Sequence, residues 1–238
     1  MKIALIGYGK MGKEIEKISI ERGHEITFKI DKDSILNNIN GAEIAINFCT
    51  PETAYKNIEM GLKNSIPVVS GTTGWLSDFS KVKELSLKTN TSFLYSSNFS
   101  LGVNLFFELN KKLAKIMRNY NEYNLYIEET HHTQKTDKPS GTAITLANSI
   151  IDQGNYNNWS VDNSKNSIPI KSKRVENVPG THIINYSSEI DSIEIKHIAK
   201  NRKGFALGAV IAAEWLINKK GVFNMRDVIN DPNFKFKR

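Results

Sequence analysis

The sequence is poor in cysteine, and this scarcity limits its chemistry. Cys49 is the single cysteine among 238 residues, so no disulfide can form within the chain. Cys49 lies in an apolar run with no histidine or other base close to it in sequence. This setting favours a buried, unreactive thiol over a catalytic one.

Long hydrophobic runs are missing as well. No apolar stretch reaches the roughly 18 residues that a membrane helix needs, and Gly7 breaks the opening apolar segment too soon for a signal peptide. Hydrophobic residues make up 39% and charged residues 24% of the chain, which is typical of a globular protein. We therefore expect a cytoplasmic protein with no membrane partner.

Blocks of like charge are also missing, although the net charge is +7. Such a charge suits either nucleic acid or small anions. The lysines are scattered, and no long stretch alternates basic with aromatic residues as in proteins that bind single strands. This distribution favours a small anionic ligand, such as a phosphorylated cofactor, and argues against a nucleic-acid partner.

Strand-like and helix-like segments alternate through the first hundred residues. Such alternation predicts a Rossmann-like α/β domain with a parallel sheet and right-handed crossovers. The predicted strands cover residues 2–6, 25–30, 43–48, 67–70 and 92–96, and the predicted helices cover 13–22, 51–64 and 76–89.

The pattern changes after about residue 98. Three alternating strand-like runs in this part predict antiparallel pairing, and we expect a mixed α+β domain over 99–203 that binds substrate and assembles subunits. Residues 1–98 and 204–238 would form the dinucleotide domain. The predicted elements are helices over 101–119, 140–151 and 205–218, strands over 123–128, 168–175, 181–187 and 191–199, and a surface loop over 153–167.

A glycine-rich loop joins the first predicted strand to the first helix. Its pattern is G-x-G-x-x-G: Gly7 permits a tight turn, Gly9 lets the backbone approach a pyrophosphate, and Gly12 allows close packing of helix on strand. The helix N-terminus then presents N–H groups to the phosphates. Asp31 ends the second strand about twenty residues on, where a carboxylate binds ribose hydroxyls. These features predict an NADH or NADPH site; the alternative is a tight turn without a ligand.

Two lysines bear on the choice between these cofactors. Asp31 favours NADH because it repels a 2′-phosphate, whereas Lys10 in the glycine loop or Lys32 next to Asp31 offsets that repulsion. A second loop, 71–74, follows the fourth strand at the edge where such sheets bind ligands. Taken alone, that loop is equally compatible with a simple turn.

Two adjacent histidines and a lysine lie in a polar segment of the second half. His131, His132 and Lys135 are groups that take part in acid–base chemistry. A metal site is the alternative, but adjacent side chains on an extended chain point in opposite directions, and neither an H-E-x-x-H motif nor a cysteine cluster occurs. We therefore predict no metal.

The helix that follows begins at a potential anion site. Ser140 is a suitable N-cap, and Ser140, Gly141 and Thr142 together place two hydroxyls and a glycine at a helix N-terminus. This arrangement predicts that a substrate carboxylate binds there. The alternative is a polar loop ahead of an ordinary helix.

Residues 129–143 resemble the signature of the dihydrodipicolinate reductase family, E-x-H-H-x-x-K-x-D-x-P-S-G-T-A, at all ten specified positions. The likeness extends over nearly the whole chain. Residues 97–104 resemble the family's interdomain segment, and residues 225–228 resemble its C-terminal end. Arg202 stands where the family has an arginine near the substrate.

The resemblance implies hydride transfer from a nicotinamide to C4 of a cyclic imine dicarboxylate, with loss of the 4-hydroxyl as water, in diaminopimelate and lysine biosynthesis. It implies that His131 is an acid–base or orienting group and that Lys135 is the proton donor. The implied substrate contacts are His132, Ser140, Gly141, Thr142 and Arg202. The predicted cofactor contacts are Gly7, Gly9, Lys10, Met11, Gly12, Asp31, Lys32, Gly71, Thr72, Thr73, Ser96, Asn98 and Phe99.

The strand edges of residues 168–199 need partners, and the family assembles through such a sheet, so we predict a homotetramer. Two rival functions remain. One is a reductase of the same fold acting on an aldehyde or another dicarboxylic acid, which would need a different anion site. The other is a nucleotide-sensing protein without activity, which would tolerate loss of Lys135.

Overall fold

The computed structural model describes residues 1–31, 39–162, 164–201 and 203–234. Two compact units are present, one formed by Met1–Leu101 with Lys203–Arg238 and the other by Gly102–Arg202. The predicted roles of Lys32 and Arg202 lie outside the described residues.

Eleven strands and seven α-helices are seen in the described part of the chain. The strands are β1 (Lys2–Ile6), β2 (Glu25–Ile30), β3 (Ile44–Asn47), β4 (Val68–Ser70), β5 (Phe93–Tyr95), β6 (Asn124–His131), β7 (Asn158–Ser160), β8 (Ser167–Arg174), β9 (Gly180–Ser187), β10 (Ser192–Ala199) and β11 (Val222–Phe223). The helices are α1 (Lys10–Glu21), α2 (Pro51–Lys63), α3 (Phe79–Lys88), α4 (Leu101–Met117), α5 (Gly141–Ile151), α6 (Lys203–Leu216) and α7 (Met225–Ile229).

The first unit is built on a six-stranded parallel sheet in the order β11-β5-β4-β3-β1-β2. Side chains of β1 alternate between its two faces: Ile3 and Leu5 pack with α1, α6 and α7, while Ala4 and Ile6 pack with α2 and α3. A parallel sheet covered on both faces needs such apolar strands. The predicted Rossmann-like fold is therefore confirmed, although the two-residue strand β11 was too short to be predicted.

The second unit is a five-stranded mixed sheet in the order β10-β9-β6-β8-β7. Apolar side chains of α4 and α5 pack with those of the sheet in one core, which includes Phe106, Leu146 and Ile127. The predicted antiparallel pairing is correct for β9 with β10, but it is wrong for β8, which lies parallel to β6. Because β6 lies between β8 and β9, these two consecutive strands are not neighbours, and alternation alone cannot give that order.

Several element boundaries differ from the predictions. Helix α1 begins at Lys10 rather than at residue 13, so the second half of the glycine motif is helical. Strand β6 continues to His131, and β7 lies inside the predicted surface loop. The helix predicted over 76–89 begins with a 3₁₀ turn, Leu76–Asp78. Across the described ranges, we find no helix with the length and apolarity to cross a membrane.

Candidate active site

The glycine loop of the first unit leaves no room for side chains at two positions. Gly7 has φ +96°, and a Cβ there would lie 2.1 Å from the carbonyl oxygen of Phe48. A Cβ on Gly12 would lie 2.3 Å from the oxygen of Gly7. The N–H groups of Gly7 and Tyr8 both donate to the carbonyl of Ile30 at the end of β2. The loop is thus held against the sheet by its own backbone.

Gly9 differs from these two glycines because its surroundings are open. It is the N-cap of α1 with φ −82°, and a Cβ there would meet no atom within 4 Å in the described part of the chain. The first N–H groups of a helix have no intrahelical partners. Backbone donors therefore border an open space, which fits a pyrophosphate at a helix N-terminus.

A cavity of about 260 Å³ lies beside this helix N-terminus. Thr72 Oγ1 accepts a hydrogen bond from the Cys49 N–H, and Trp75 Nε1 donates to the Thr72 carbonyl, which fixes the second loop. Cys49 is half-exposed, so the prediction that it is buried was wrong. The residues that line the cavity are Met11, Phe48, Cys49, Pro51, Gly71, Thr72 and Thr73.

The segment after β5 is a turn held by its own polar side chains. Ser96 Oγ donates to the Asn98 carbonyl at 2.7 Å and accepts from the Asn98 N–H at 3.2 Å. Phe99 is 2% exposed, and a Cβ on Gly208 of α6 would lie 1.7 Å from its carbonyl oxygen. The side chain of Phe99 is therefore part of the core, and only its backbone is suited to contact a cofactor.

Charged groups lie at the start of α1 and at the end of β2. Asp31 and Lys10 are both exposed. Two residues before Asp31, the Lys29 ammonium is 2.5 Å from Glu16 Oε1. Glu16 also accepts a hydrogen bond from the Tyr8 hydroxyl, which raises the pKa of Tyr8. Sequence reasoning did not find this group, because Tyr8, Glu16 and Lys29 lie on three different elements.

In the second unit, Glu129 and His131 project from the same face at the end of β6. Side chains two residues apart on a strand share a face, and His131 Nδ1 lies 2.8 Å from Glu129 Oε2. Glu129 is fully buried. Burial alone would raise the pKa of its carboxyl, but the neighbouring side chains of His131, Ser140 and Ser172 together hold that pKa well below its usual range. Glu129 is therefore a buried carboxylate behind His131.

His182 on β9 completes a three-residue cluster with Glu129 and His131. The rings of the two histidines meet edge to face at an interplanar angle of 73°, with centroids 5.0 Å apart, and His182 Nε2 lies 3.2 Å from Ser140 Oγ. Burial, reinforced by the charge of His131, lowers the pKa of His182 to about 3, so its ring is neutral near pH 7. One donor atom from each of the three residues lies within 4.8 Å of the others. The absence of a metal at this cluster stays a prediction.

Arg174, at the end of β8, was not found from the sequence. It lies opposite His131 in the parallel ladder, and both terminal nitrogens of its guanidinium donate to Glu129 Oε1 at 3.2 Å. Its signal was a basic residue next to Lys173 at the end of a strand, which gains meaning only when β8 is known to pair with β6.

Lys135 lies on the loop that follows β6. Its ammonium is 2.8 Å from Asp137 Oδ1 and about one quarter exposed, and it lowers the pKa of Asp137. His132 follows His131 directly and is half-buried. It is not part of the three-residue cluster of Glu129, His131 and His182. The structure thus gives the two adjacent histidines different surroundings.

The N-terminus of α5 is capped as predicted and remains accessible. Ser140 Oγ accepts from the N–H of Ala143 at 3.2 Å, while Gly141 is exposed and Thr142 half-exposed. Since Ser140 also contacts His182, the cap joins the helix N-terminus to the histidine cluster. An anion bound at these N–H groups would therefore lie close to His131 and His182.

Comparisons with known proteins agree with this arrangement. Residues 1–99 match the model "Dihydrodipicolinate reductase, N-terminus", and residues 102–229 match "Dihydrodipicolinate reductase, C-terminus". A relative from Christiangramia forsetii, named 4-hydroxy-tetrahydrodipicolinate reductase, is 55% identical over 97% of this chain and 98% of its own length. A relative of the same name from Thermosipho africanus is 36% identical over 97% of this chain and 99% of its own.

A solved structure has the same fold. It is a dipicolinate-bound dihydrodipicolinate reductase from Paenisporosarcina sp. TG-14, with a TM-score of 0.77 at 21% identity, and the match covers 95% of this chain and 99% of that one. Members of the family are oxidoreductases that use NADH or NADPH in lysine and diaminopimelate biosynthesis. On the strength of two matching family models and full-length relatives, the chain belongs to the dihydrodipicolinate reductase family.

Proposed function

We propose that His131 and Lys135 carry the proton chemistry of 4-hydroxy-tetrahydrodipicolinate reduction, and that the N-terminus of α5 holds a substrate carboxylate. The observation that carries this proposal is the contact between Ser140 and His182. It joins a helix N-terminus suited to an anion with a histidine cluster that contains a buried carboxylate. The two features together form one substrate site.

The first unit supplies the residues that bind the cofactor. The open space at Gly9 and the cavity lined by Gly71 and Thr73 fit the phosphates and adjoining part of a dinucleotide. Asp31, at the end of β2, is placed to accept hydrogen bonds from ribose hydroxyls. When bound, the dihydronicotinamide supplies the hydride that C4 of the cyclic imine receives.

The second unit supplies the residues that donate or relay protons. The reaction takes up one hydride and one proton, releases the 4-hydroxyl as water and leaves the nicotinamide oxidised. Lys135, whose ammonium carries exchangeable protons and lies on the loop after β6, is the proposed proton donor. His131 is oriented by Glu129 at 2.8 Å, and it would stabilise charge on the substrate or relay a proton.

Binding of the substrate depends on a different set of groups. The N–H groups of Gly141 and Thr142, at the start of α5, and the Thr142 hydroxyl would bind one carboxylate, since a helix N-terminus favours an anion. His132 would contribute from the adjoining loop. The dipicolinate found in the Paenisporosarcina structure is a planar dicarboxylate, which supports this ligand class. Arg202 is proposed on the family resemblance alone.

A spectrophotometric assay tests the proposal. Purified chain should oxidise NADH or NADPH when the fresh condensation product of aspartate semialdehyde and pyruvate is added, and should not do so with either precursor alone. Folded protein that causes no absorbance loss with the condensation product would refute the assignment. Activity with an unrelated aldehyde at equal kcat/KM would favour the rival reductase.

We further propose that the protein is a cytoplasmic homotetramer. Strand β10 is the edge of the second sheet, and its exposed side chains include Ile193 and Ile198. An exposed strand edge with apolar side chains tends to pair with another copy. Light scattering at micromolar concentration tests the oligomeric state, and a monomeric mass would contradict the proposed homotetramer.

A further inference from the structure

One arginine side chain joins strand β8 to the loop that carries Lys135. Arg174 ends β8 directly opposite His131, and its side chain is 9% exposed. The described contacts of the loop's own backbone are sparse: the Lys135 N–H donates to the His132 carbonyl at 3.1 Å. A loop with few internal hydrogen bonds depends on outside contacts for its position.

The guanidinium of Arg174 supplies those contacts from one rigid plane. Its Nε donates to the carbonyl oxygen of Lys135 at 3.2 Å, and Nη2 donates to the carbonyl oxygen of Asp137 at 2.5 Å. Nη1 donates to the carbonyl of Lys173 at 2.7 Å. Glu129 Oε1 accepts from both terminal nitrogens. The loop is thus tied at two carbonyls to a group that a buried carboxylate holds in place.

We infer that Arg174 is a positioning residue: by holding the carbonyls of Lys135 and Asp137, it fixes the position and direction of the Lys135 side chain. The inference rests on the proposed role of Lys135 as proton donor. Arg174 itself lies behind the loop backbone and does not take part in proton transfer. Its effect on rate comes from geometry, because a shift of about 1 Å in a reacting group costs on the order of 10²-fold.

Lysine cannot replace arginine in this position. The guanidinium has five N–H donors in a fixed plane, and Arg174 uses them on four acceptors in different directions. An ammonium is a single point with three donors on a flexible stem. Arg174→Lys therefore preserves the positive charge near Glu129 but cannot donate hydrogen bonds to both loop carbonyls at once.

The first experiment compares Arg174→Lys and Arg174→Gln with Lys173→Gln. Lys173 is the adjacent residue, and its exposed ammonium pairs with Glu128 at 2.8 Å, so the control removes a neighbouring cation without touching the loop. Both Arg174 variants should lower kcat by about 10-fold or more, with KM for NADH within about twofold of wild type. Lys173→Gln should stay within about twofold in both constants. An Arg174→Lys variant with wild-type kcat would overturn the inference.

Hydrogen exchange measures the loop without reference to turnover. Amide exchange in residues 133–138 should speed up in Arg174→Lys and remain unchanged in Lys173→Gln. Unchanged exchange in a folded Arg174→Lys protein would overturn the inference even if kcat fell. This measurement also covers the case in which Arg174→Gln fails to fold.

A double-mutant comparison separates this inference from the proposed function. In a Lys135→Ala background, Arg174→Lys should lower kcat by less than about threefold, because no proton donor is left to position. An equal loss in both backgrounds would mean that Arg174 acts elsewhere, for example through Glu129, and would overturn the inference. If Lys135→Ala itself keeps wild-type kcat, the proposed role of Lys135 fails. If only Lys135→Ala is impaired, the role of Arg174 alone fails.

Discussion

The nucleotide loop of the first unit is made of backbone, whereas the acid–base cluster of the second unit is made of side chains from three strands. Gly7, Gly9 and Gly12 matter because they have no side chain, and their spacing within six residues is visible in the sequence. Glu129, Arg174 and His182 meet only because β8 and β9 both pair with β6. A site built by neighbours in sequence is predictable from its motif, and a site built by strand pairing is not.

The sharpest test of the second region is removal of its proposed reacting groups. Lys135→Ala and His131→Ala should each lower kcat by about 10²-fold or more, as loss of general acid catalysis does. KM for the cofactor should hardly change, since neither residue belongs to the glycine loop. A variant with near wild-type kcat would remove that residue from the chemistry.

Substitutions in the glycine loop of the first unit should change cofactor binding rather than kcat. Gly9→Ala should raise KM for NADH by about tenfold or more, with stability within about 0.5 kcal/mol of wild type, because the added methyl has room in the fold but occupies the ligand's approach. Gly7→Ala is the contrasting variant. It places a side chain at φ +96° against Phe48, so it should destabilise the fold by at least about 2 kcal/mol. Equal NADH binding by Gly9→Ala and wild type would contradict the assignment of Gly9.

Cofactor preference should show a smaller effect. Asp31 disfavours a 2′-phosphate and Lys32 or Lys10 favours it, so both cofactors should work within about tenfold in kcat/KM, or roughly 1.4 kcal/mol. Lys32→Ala should weaken NADPH selectively. Lys29→Ala is the matched control, because the Lys29 ammonium is already paired with Glu16. Equal weakening of both cofactors by Lys32→Ala would show that Lys32 is not at the ribose end.

The last test concerns stability rather than activity, namely the pH dependence that His182 contributes to the free energy of unfolding. Its pKa is lowered from 6.5 to about 3 in the folded protein, so between these values the unfolded chain binds a proton that the folded chain does not. Stability should therefore decrease as pH falls below 6.5, by up to about 2 kcal/mol at pH 5 from this residue. Urea unfolding at pH 7 and at pH 5 gives the loss of unfolding free energy between the two pH values, which should be smaller in His182→Gln than in wild type. An equal loss in both proteins would contradict the prediction.

Much of the fold was predictable because its signals are local. The parallel sheet, the glycine loop and the Ser140 cap each follow from a short pattern, and each was found in the structure. The position of β8 and the contacts of Arg174 were not predictable, because both depend on which strand lies beside β6. His182 was missed for the same reason: a single histidine in a strand carries no sign of its neighbours until the sheet order is known.

The half-exposed thiol of Cys49 has a practical consequence. It lies in the wall of the proposed nucleotide cavity, and it is the only thiol in the whole sequence. A thiol reagent should therefore label each chain once, and its reaction rate should fall as NADH or NADPH fills the cavity. Labelling stoichiometry and protection would then report cofactor occupancy in the unmodified protein, independently of substrate, turnover or any engineered probe.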